Sequence, residues 1–351
     1  MLIYWFLFLI CCVGSLVEDS RAYRNGRQKP FFILITLLLT IVIGLRYEVG
    51  GDWNSYLLHL QRSYSFSFED NFSSGDPGYN LVNWIVANSI NEVWVVNLFC
   101  SFIFSIGLVC FSRAQPRTYL ALVVAIPYLV IVVAMGYTRQ SVAIGFAMIG
   151  LASLSRGKSN LKFLFWIALA ATFHKTALLL VPIAALSTSK GRVWTICWIG
   201  ASTVLLYYLF LESSVDSLMY GYIERQYNSQ GAAIRVTMNA LPALIFMLYR
   251  KRFKLLPDEQ RLWTNIALLA IIFVLFLNVS PSTTAVDRMA LYLIPIQIFV
   301  LSRLPNAFRE KKTGVGLVTF GVILYSAAIQ FVWLNYAANA ASWLPYRFFF
   351  I

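Results

Sequence analysis

A charged stretch that directly follows an apolar run is the first place in this sequence where chemistry could occur. The apolar run spans 31–43, and the stretch after it contains Arg46, Asp52 and two adjacent glycines. Charge at the mouth of a membrane helix is costly and indicates a functional site by default, and adjacent glycines let the backbone approach a bound molecule closely. The alternative is an ordinary helix end, where Arg46 reaches the lipid headgroups and glycine stops the helix.

Three further polar groups interrupt the apolar pattern of the first half. Asp76 lies in an Asp-Pro-Gly turn, where it either caps a helix or directs a carboxylate into a cavity. Arg139 begins an apolar run with almost no loop before it. A lone arginine there could reach the lipid headgroups, but Tyr137 and Gln140 add donors beside it, which favours anion binding. His174 and Lys175 lie together in the middle of an apolar run. His174 is either a general base or a hydrogen-bonded structural residue, and Lys175 could bind phosphate.

The second half contains three more arginines at the ends of apolar runs. Arg235 and Asn239 are one helical turn apart and share a face. Asp287 and Arg288 begin another apolar run, an arrangement that also suits a simple helix start. Arg347 lies in an aromatic segment near the C-terminus. Aromatic residues there either anchor the chain at the membrane interface or stack on sugar rings.

The composition is that of a polytopic membrane protein. The chain has 351 residues, of which 59% are hydrophobic and 12% charged, with a net charge of +13 and a mean hydropathy of +0.70. A soluble domain has about 25% charged residues. The basic residues lie in short loops between apolar runs, which favours a role in membrane orientation over nucleic-acid binding. The five cysteines fall inside apolar runs without metal-ligand spacing, so we expect small hydrophobic residues and no metal.

The apolar runs predict about twelve transmembrane segments in one integral membrane domain, 1–351. A span needs about 20 residues. The run 161–187 contains Lys175 near its middle, so we expect two shorter helices that meet at His174 and Lys175, because irregular backbone is tolerated where it lines a wet cavity. The first run argues for a retained span over a cleaved signal peptide. The runs are 1–17, 31–45, 92–112, 118–135, 138–155, 161–187, 193–211, 232–250, 261–279, 289–304 and 313–336.

The distribution of charge predicts the orientation. One set of loops holds 20 Lys and Arg and five acids, whereas the rest of the chain holds 8 basic residues and 10 acids. The positive-inside rule assigns the first set to the cytoplasm, which leaves both termini and the two long loops, 46–78 and 212–231, in the periplasm. This assignment requires the run 161–187 to be a broken hairpin. The cytoplasmic set comprises loops 18–29, 113–117, 156–162, 188–192, 250–261 and 303–312.

Together these residues predict a polar cavity that opens to the outer face. Arginine recognises phosphate through paired donors. The sequence contains no Walker loop, no GxGxxG, no GxSxG and no metal-ligand cluster. We therefore expect an anionic substrate that is membrane-borne and already activated, with no cofactor. The arginines near the outer face are Arg46, Arg139, Arg235, Arg288 and Arg347, and the nearby acids are Asp52, Asp76 and Asp287.

The motifs resemble those of the EpsG-like and Wzy-like family of bacterial polysaccharide polymerases. The resemblance extends over most of the chain in the family's order, and the block around Arg46 and the Phe-His-Lys block are its most specific parts. The matching residues are Gly44-Leu45-Arg46, Gly51 to Tyr56, Asp76 to Tyr79, Thr138-Arg139-Gln140, Phe173 to Ala177, and Asp287-Arg288 with Tyr292.

The resemblance implies an inner-membrane glycosyltransferase with a GT-C-like bundle and a periplasm-facing cavity. Such enzymes join lipid-linked repeat units of O-antigen, capsule or exopolysaccharide, carried on undecaprenyl diphosphate, and can act with a chain-length regulator. For such a reaction our hypothesis is that a carboxylate, Asp52 or Asp76, or else His174, deprotonates the acceptor hydroxyl. Arg46, Arg139 and Arg288 would bind the diphosphate and neutralise the charge that develops on it. The other residues that would bind diphosphate or glycan are Tyr56, Tyr79, Gln140, Lys175, Arg235 and Arg347.

Two alternative functions remain open from the sequence. A flippase for lipid-linked oligosaccharide would expose its site to both faces, and charged residues should then mark the inner halves of spans as well. Here they concentrate outside, which favours an enzyme. A membrane acyltransferase acting on the glycan would need a base near a hydroxyl, and His174 would then be central.

Overall fold

The computed structural model describes an all-helical protein. It covers residues 1–18, 29–73, 75–155, 160–186, 197, 200–201, 204, 231–280, 282–309 and 312–350. Within these ranges the β-structure is limited to one isolated bridge between Arg46 and Phe348. Most of the predicted run 193–211 and nearly all of the loop 212–231 lie outside the described residues, so the prediction of twelve spans stays a prediction.

The helices of the first half follow the apolar runs, with three helices between the second and third runs. The π-helix Ile126–Ala134 directly continues α7, and a 3₁₀ turn, Lys175–Leu179, precedes α10. The bounds are α1 Leu2–Val17, α2 Lys29–Gly44, α3 Trp53–Ser65, α4 Phe68–Ser73, α5 Pro77–Ala87, α6 Val93–Ser112, α7 Thr118–Ala125, α8 Thr138–Ser155, α9 Asn160–Phe173 and α10 Leu180–Leu186.

The helices of the second half also match the predicted runs. The 3₁₀ turns Arg250–Phe253, Leu291–Leu293 and Ala340–Trp343 extend or link them. The bounds are α11 Ala232–Tyr249, α12 Pro257–Val279, α13 Thr283–Ala290, α14 Pro295–Ala307 and α15 Lys312–Tyr336.

Several of these helices are long and apolar enough to cross a membrane. In the described part of the chain there are four: Val93–Ser112, Ala232–Phe253, Pro257–Val279 and Gly314–Tyr336. A fifth results if Thr283–Leu293 and Pro295–Ala307, which are bent by 44°, form one span. Shorter apolar helices of 10–17 residues include α1 and the central helix α7 with its π extension. The chain is therefore a membrane protein, as its composition predicts.

The predicted break in the run 161–187 is present. Helix α9 ends at Phe173, and His174 has an extended backbone with φ −160° and ψ 112° before the 3₁₀ turn begins. Gly78 at the start of α5 packs against the end of α9, because a Cβ at Gly78 would lie 2.5 Å from the Thr172 hydroxyl. This close approach brings the Asp-Pro-Gly turn beside the break.

The centre of the bundle is α7 with its π-helical extension, which is buried on all sides from Thr118 to Gly136. A helix that is apolar all round has no polar face to present to water and is buried. Trp343 from the C-terminal segment donates from its indole N–H to the Ile131 carbonyl at 2.8 Å. The Tyr4 hydroxyl donates to the Trp343 carbonyl at 2.7 Å, so the start of α1 and the C-terminal segment meet at one end of the bundle.

The polar contacts cluster at two ends of the bundle. This division agrees with the separation of the loops into a basic set and the rest. At one end, Glu18 accepts the backbone N–H of Thr118 at 2.7 Å, and Arg303 pairs with Glu259 at 3.1 Å. These residues lie in or beside loops assigned to the cytoplasm. The polar side chains assigned to the outer face lie at the other end. Which end faces the cytoplasm remains a prediction from the positive-inside rule.

Helices α6 and α8 cross at a pair of glycines. A Cβ at Gly107 would lie 2.2 Å from the Gly145 carbonyl oxygen, and a Cβ at Gly145 would lie 2.9 Å from the Phe104 Cα. Both neighbours are backbone atoms, which cannot rotate away. Small residues at such crossings let membrane helices pack closely. This crossing fixes the position of α8, which begins at the candidate site.

We expect Gly107→Ala to lower the stability of the folded protein by about 1–3 kcal/mol, because the added methyl forces α6 and α8 apart. The measurement is the temperature at which the detergent-solubilised protein loses its monodisperse peak in size-exclusion chromatography. Gly321→Ala is the matched control, since a Cβ at Gly321 would meet nothing within 4 Å. Equal melting temperatures for the two variants would contradict the close crossing.

Candidate active site

Arg46 is buried at the end of α2 and is 1% exposed. Its guanidinium donates to the Ile43 carbonyl at 2.5 Å and to the Val49 carbonyl at 3.2 Å. It also donates to the Thr138 hydroxyl at 2.8 Å and the Asn97 side-chain oxygen at 3.4 Å. The carbonyl of Ile43 belongs to the C-terminal turn of α2, where the helix dipole favours a cation.

The sequence predicts that the Arg46 guanidinium binds a diphosphate, but in the structure the guanidinium donates to protein oxygens. The guanidinium is enclosed by protein acceptors from α2, α6, α8 and its own loop, so it does not face an open cavity. The geometry fits a positioning residue that joins three helices.

The loop that follows Arg46 is fixed from several directions. Gly50 has φ +108°, a conformation that L side chains rarely adopt, and a Cβ there would lie 2.5 Å from the Met135 carbonyl oxygen. Its N–H donates to the Ser342 carbonyl at 2.8 Å. Helix α3 begins three residues later, and the Tyr56 hydroxyl accepts the Thr138 N–H at 2.9 Å. Tyr56 therefore caps the start of α8, where Arg139 is the second residue.

A cavity of about 240 Å³ lies between α3, α5 and the start of α8. Two arginines and a histidine supply its charged and titratable groups, and the phenol rings of Tyr56 and Tyr79 form much of the wall. The lining residues are Ser55, Tyr56, Leu58, His59, Arg62, Tyr79 and Arg139. This cavity is small, cationic and placed at the end of the bundle that the sequence assigns to the outer face.

Arg139 and Asp76 form the ion pair at the edge of this cavity. Arg139 Nη1 lies 3.0 Å from Asp76 Oδ2, and the Arg139 side chain is 43% exposed whereas that of Asp76 is 10% exposed. The Asp76 side chain makes no helix-capping hydrogen bond to α5, although Asp76 is the N-cap residue. It also accepts the backbone N–H of Lys175. Burial raises the pKa of the Asp76 carboxyl, against the opposing effect of Arg139 and Lys175.

A second acid–arginine pair lies across the start of α8. Arg288 Nη2 is 4.0 Å from Asp52 Oδ2, with 30% and 39% of the two side chains exposed. The guanidinium lies over the Tyr137 ring at 4.1 Å from its centroid. Gln140 is buried and donates to the Arg288 carbonyl at 2.6 Å. Gln140 thus positions Arg288 and need not contact a substrate.

Arg235 and Asp287 form a two-point ion pair inside the protein. Arg235 donates from Nε and Nη2 to the two Asp287 oxygens at 2.8 and 2.6 Å. The two side chains are 18% and 8% exposed. This pair connects α11 to α13 and so fixes the segment that carries Arg288. Arg347, near the C-terminus, is separate from these three pairs and forms an ion pair with Glu48 of the first loop.

His174 lies at the break after α9, close to Thr176 and Tyr292. Its Nδ1 is 2.6 Å from the Thr176 hydroxyl, and its ring centroid is 6.3 Å from that of Tyr292. Both Arg139 and Arg288 are near enough to act on it electrostatically. The structure therefore brings Asp52, Asp76, Arg139, His174, Lys175 and Arg288 to one end of the bundle, as the motif positions predict.

His59 is a cavity residue that sequence reasoning missed. Its Nε2 lies 2.9 Å from the Asn80 side-chain oxygen, and its ring is 5.2 Å from that of Tyr79. Burial lowers the pKa of His59, and Arg139 and Arg62 lower it further. The signal was present, because Ser55, His59 and Arg62 follow the i, i+4, i+7 spacing of one helix face.

No group of three or more His, Cys, Asp and Glu side chains with the arrangement of a metal site occurs within the described ranges. The chemistry that the site presents is that of arginines paired with carboxylates. Such an arrangement can bind an anion and hold a carboxylate where a proton is to be accepted.

A family model described as the EpsG family matches residues 29–348, which is nearly the whole chain. No curated protein and no solved structure matches the chain.

We expect Arg46→Ala to prevent accumulation of folded protein, because it removes four hydrogen bonds and leaves buried acceptors unpaired. The free energy of unfolding should fall by about 3–5 kcal/mol. Arg46→Lys should also be destabilised, since one ammonium cannot reach acceptors on three helices. The measurement is the amount and thermal stability of monodisperse protein. Arg139→Ala is the comparison and should fold normally, whereas a stable and inactive Arg46→Ala protein would restore the direct-binding prediction.

Proposed function

The chain belongs to the EpsG family, a Wzy-like polysaccharide polymerase family, and from this membership we propose that it joins lipid-linked oligosaccharide repeat units into a polymer. The donor is a growing glycan on undecaprenyl diphosphate, and the acceptor is a single lipid-linked unit. Transfer occurs on the periplasmic face. The product is O-antigen, capsule or exopolysaccharide.

The observation that carries this proposal is the exposed Arg139 guanidinium, held by Asp76 at the rim of a cationic cavity. Asp76 binds only one side of Arg139, and Arg62 and His59 lie in the same cavity. Arginine donors neutralise a diphosphate as charge develops on it when it leaves. Arg288, whose guanidinium lies 4.0 Å from the Asp52 carboxylate, adds a second positive centre.

The proposed reaction is a glycosyl transfer that needs one base. The acceptor hydroxyl oxygen forms a bond to the anomeric carbon of the donor, and the bond from that carbon to the diphosphate oxygen breaks. The lipid diphosphate leaves with the electron pair, and the hydroxyl proton passes to a carboxylate. We assign this carboxylate to Asp52, which is 39% exposed beside Arg288. Asp76 is more buried and engaged by Arg139 and Lys175, so it acts as a positioning residue.

The membrane location and the outer face rest on different observations. Helices able to span a membrane support an integral membrane enzyme. The charge count of the loops supports the periplasmic face, since the cationic cavity lies at the end opposite to the basic loops. A GT-C-like bundle and a chain-length partner remain proposals that rest on the family resemblance.

We expect Arg139→Ala to reduce surface polymer to at most one repeat unit in cells that lack the natural gene copy. Loss of one donor to a developing negative charge reduces turnover by about 10²–10³. The measurement is gel analysis of surface glycan at matched protein level. Arg261→Ala removes an exposed arginine at the other end of the bundle and is the control. In the same gel, Asp52→Asn should abolish elongation, because a general base contributes about 10²–10⁴ to the rate.

Three results would overturn these assignments. Polymer of normal length and amount from the Arg139→Ala protein would remove the diphosphate role. Normal polymer from Asp52→Asn, combined with its loss in Asp76→Asn or His174→Gln, would move the base to one of those residues. Polymer of normal length that lacks an ester substituent in Arg139→Ala would instead indicate an acyltransferase.

A further inference from the structure

A second cavity of about 480 Å³ lies between the first loop and the C-terminal segment. We call it the aromatic groove, and its lining residues are Tyr47, Tyr346, Arg347, Phe348 and Phe349. Its volume lies in the range of sites for small organic ligands. Trp94 from α6 extends the aromatic surface, with its ring 6.0 Å from that of Phe349.

The groove is a built feature, because backbone hydrogen bonds fix its two walls to each other. The Tyr47 N–H donates to the Arg347 carbonyl at 3.0 Å, and the Phe349 N–H donates to the Leu45 carbonyl at 2.8 Å. The Tyr346 hydroxyl donates to the Val42 carbonyl at 2.8 Å. The same short pairing contains Arg46, so the residue that joins the helices also fixes the groove.

The rim of the groove is charged. Arg347 pairs with Glu48, and about half of each side chain is exposed. Glu48 has φ +51°, a backbone conformation that is uncommon for a residue other than glycine. A charge pair in contact with lipid tails would be costly, so the groove suits a ligand with both apolar faces and hydroxyl groups. Sugar rings have this combination, since their C–H faces pack on aromatic rings and their hydroxyls bond to charged side chains.

The groove is adjacent to the proposed reaction site along the chain. The Tyr47 ring contacts the Trp53 ring with centroids 5.8 Å apart, and Trp53 is the first residue of α3. Asp52 immediately precedes it. One turn further along α3, Tyr56 lines the cavity of about 240 Å³ that also contains Arg139. Along the chain, Asp52 therefore lies between Tyr47 of the groove and Tyr56 of the cavity.

We propose that the aromatic groove is a saccharide subsite that holds the glycan of a lipid-linked substrate while its diphosphate lies in the cavity at Arg139. This inference rests on the proposed function. It predicts that the groove controls how far the polymer grows, because a glycan that is held after each transfer stays positioned for the next one.

The test compares polymer length in cells that carry groove variants. Tyr47→Leu and Phe349→Leu keep an apolar side chain for membrane anchoring but remove the flat ring, and we expect polymer with a clearly shorter modal length. Tyr47→Phe keeps the ring and should retain the wild-type length. Tyr336→Leu removes an aromatic ring that is 74% exposed at the end of α15 and outside the groove, and should also retain it.

The outcomes separate this inference from the proposed function. If Arg139→Ala abolishes polymer while Tyr47→Leu and Phe349→Leu leave its length unchanged, the groove is not a saccharide subsite and the polymerase proposal stands. If cells that lack the gene altogether still make polymer of normal length and amount, the proposed function itself fails. If Tyr47→Phe shortens the polymer as much as Tyr47→Leu, the hydroxyl and not ring stacking is responsible, which contradicts the proposal.

A binding experiment decides the matter even where a groove variant does not fold. The probe is repeat-unit oligosaccharide released by mild acid from the strain's own polymer, and the measurement is saturation-transfer NMR with the purified wild-type protein. We expect transfer to sugar C–H protons that persists in Arg139→Ala and, in Tyr47→Leu, an affinity that is lower by about tenfold. No transfer from the wild-type protein would overturn the inference.

Discussion

The structure depends on the buried guanidinium of Arg46, which has no carboxylate among its hydrogen-bond partners. Arg46 donates only to neutral oxygens, from two carbonyls, a hydroxyl and an amide. A buried charge is tolerated only where nearly all of its donors are satisfied, so the acceptors on α2, α6 and α8 must keep their relative positions. The start of α8 and the first loop are fixed by this requirement. The partly exposed guanidinium groups of Arg139 and Arg288 at the same end can then keep hydrogen-bond donors available for a ligand.

The rest of the site follows from where α8 begins. Tyr56 caps this helix, and the next residues place Arg139 beside Asp76 and Gln140 beneath Arg288. The Arg235–Asp287 pair holds the segment that carries Arg288 from the other side. The arginines thus divide into two kinds. Arg46 and Arg235 are enclosed and hold the helices, whereas Arg139 and Arg288 are partly exposed beside Asp76 and Asp52.

Much of this could be predicted from the sequence, and the exceptions have physical reasons. The break at His174 was predictable because a lysine in mid-run is costly in a membrane. The gathering of Asp76, Arg139 and Arg288 at one end follows from the order of the spans. The role of Arg46 was not predictable, because Asn97 and Thr138 are distant in sequence and their contact exists only after packing. His59 escaped notice because α3 is amphipathic and lies between the apolar runs.

The most direct test of the central claim is elongation by the purified protein. Detergent-solubilised enzyme is given lipid-diphosphate-linked repeat units with no nucleotide, and the glycan products and released lipid diphosphate are both quantified. Our account predicts chains of two or more units and one lipid diphosphate released for each new linkage. Repeat units that remain single, with folded wild-type protein present and no lipid diphosphate released, would contradict it.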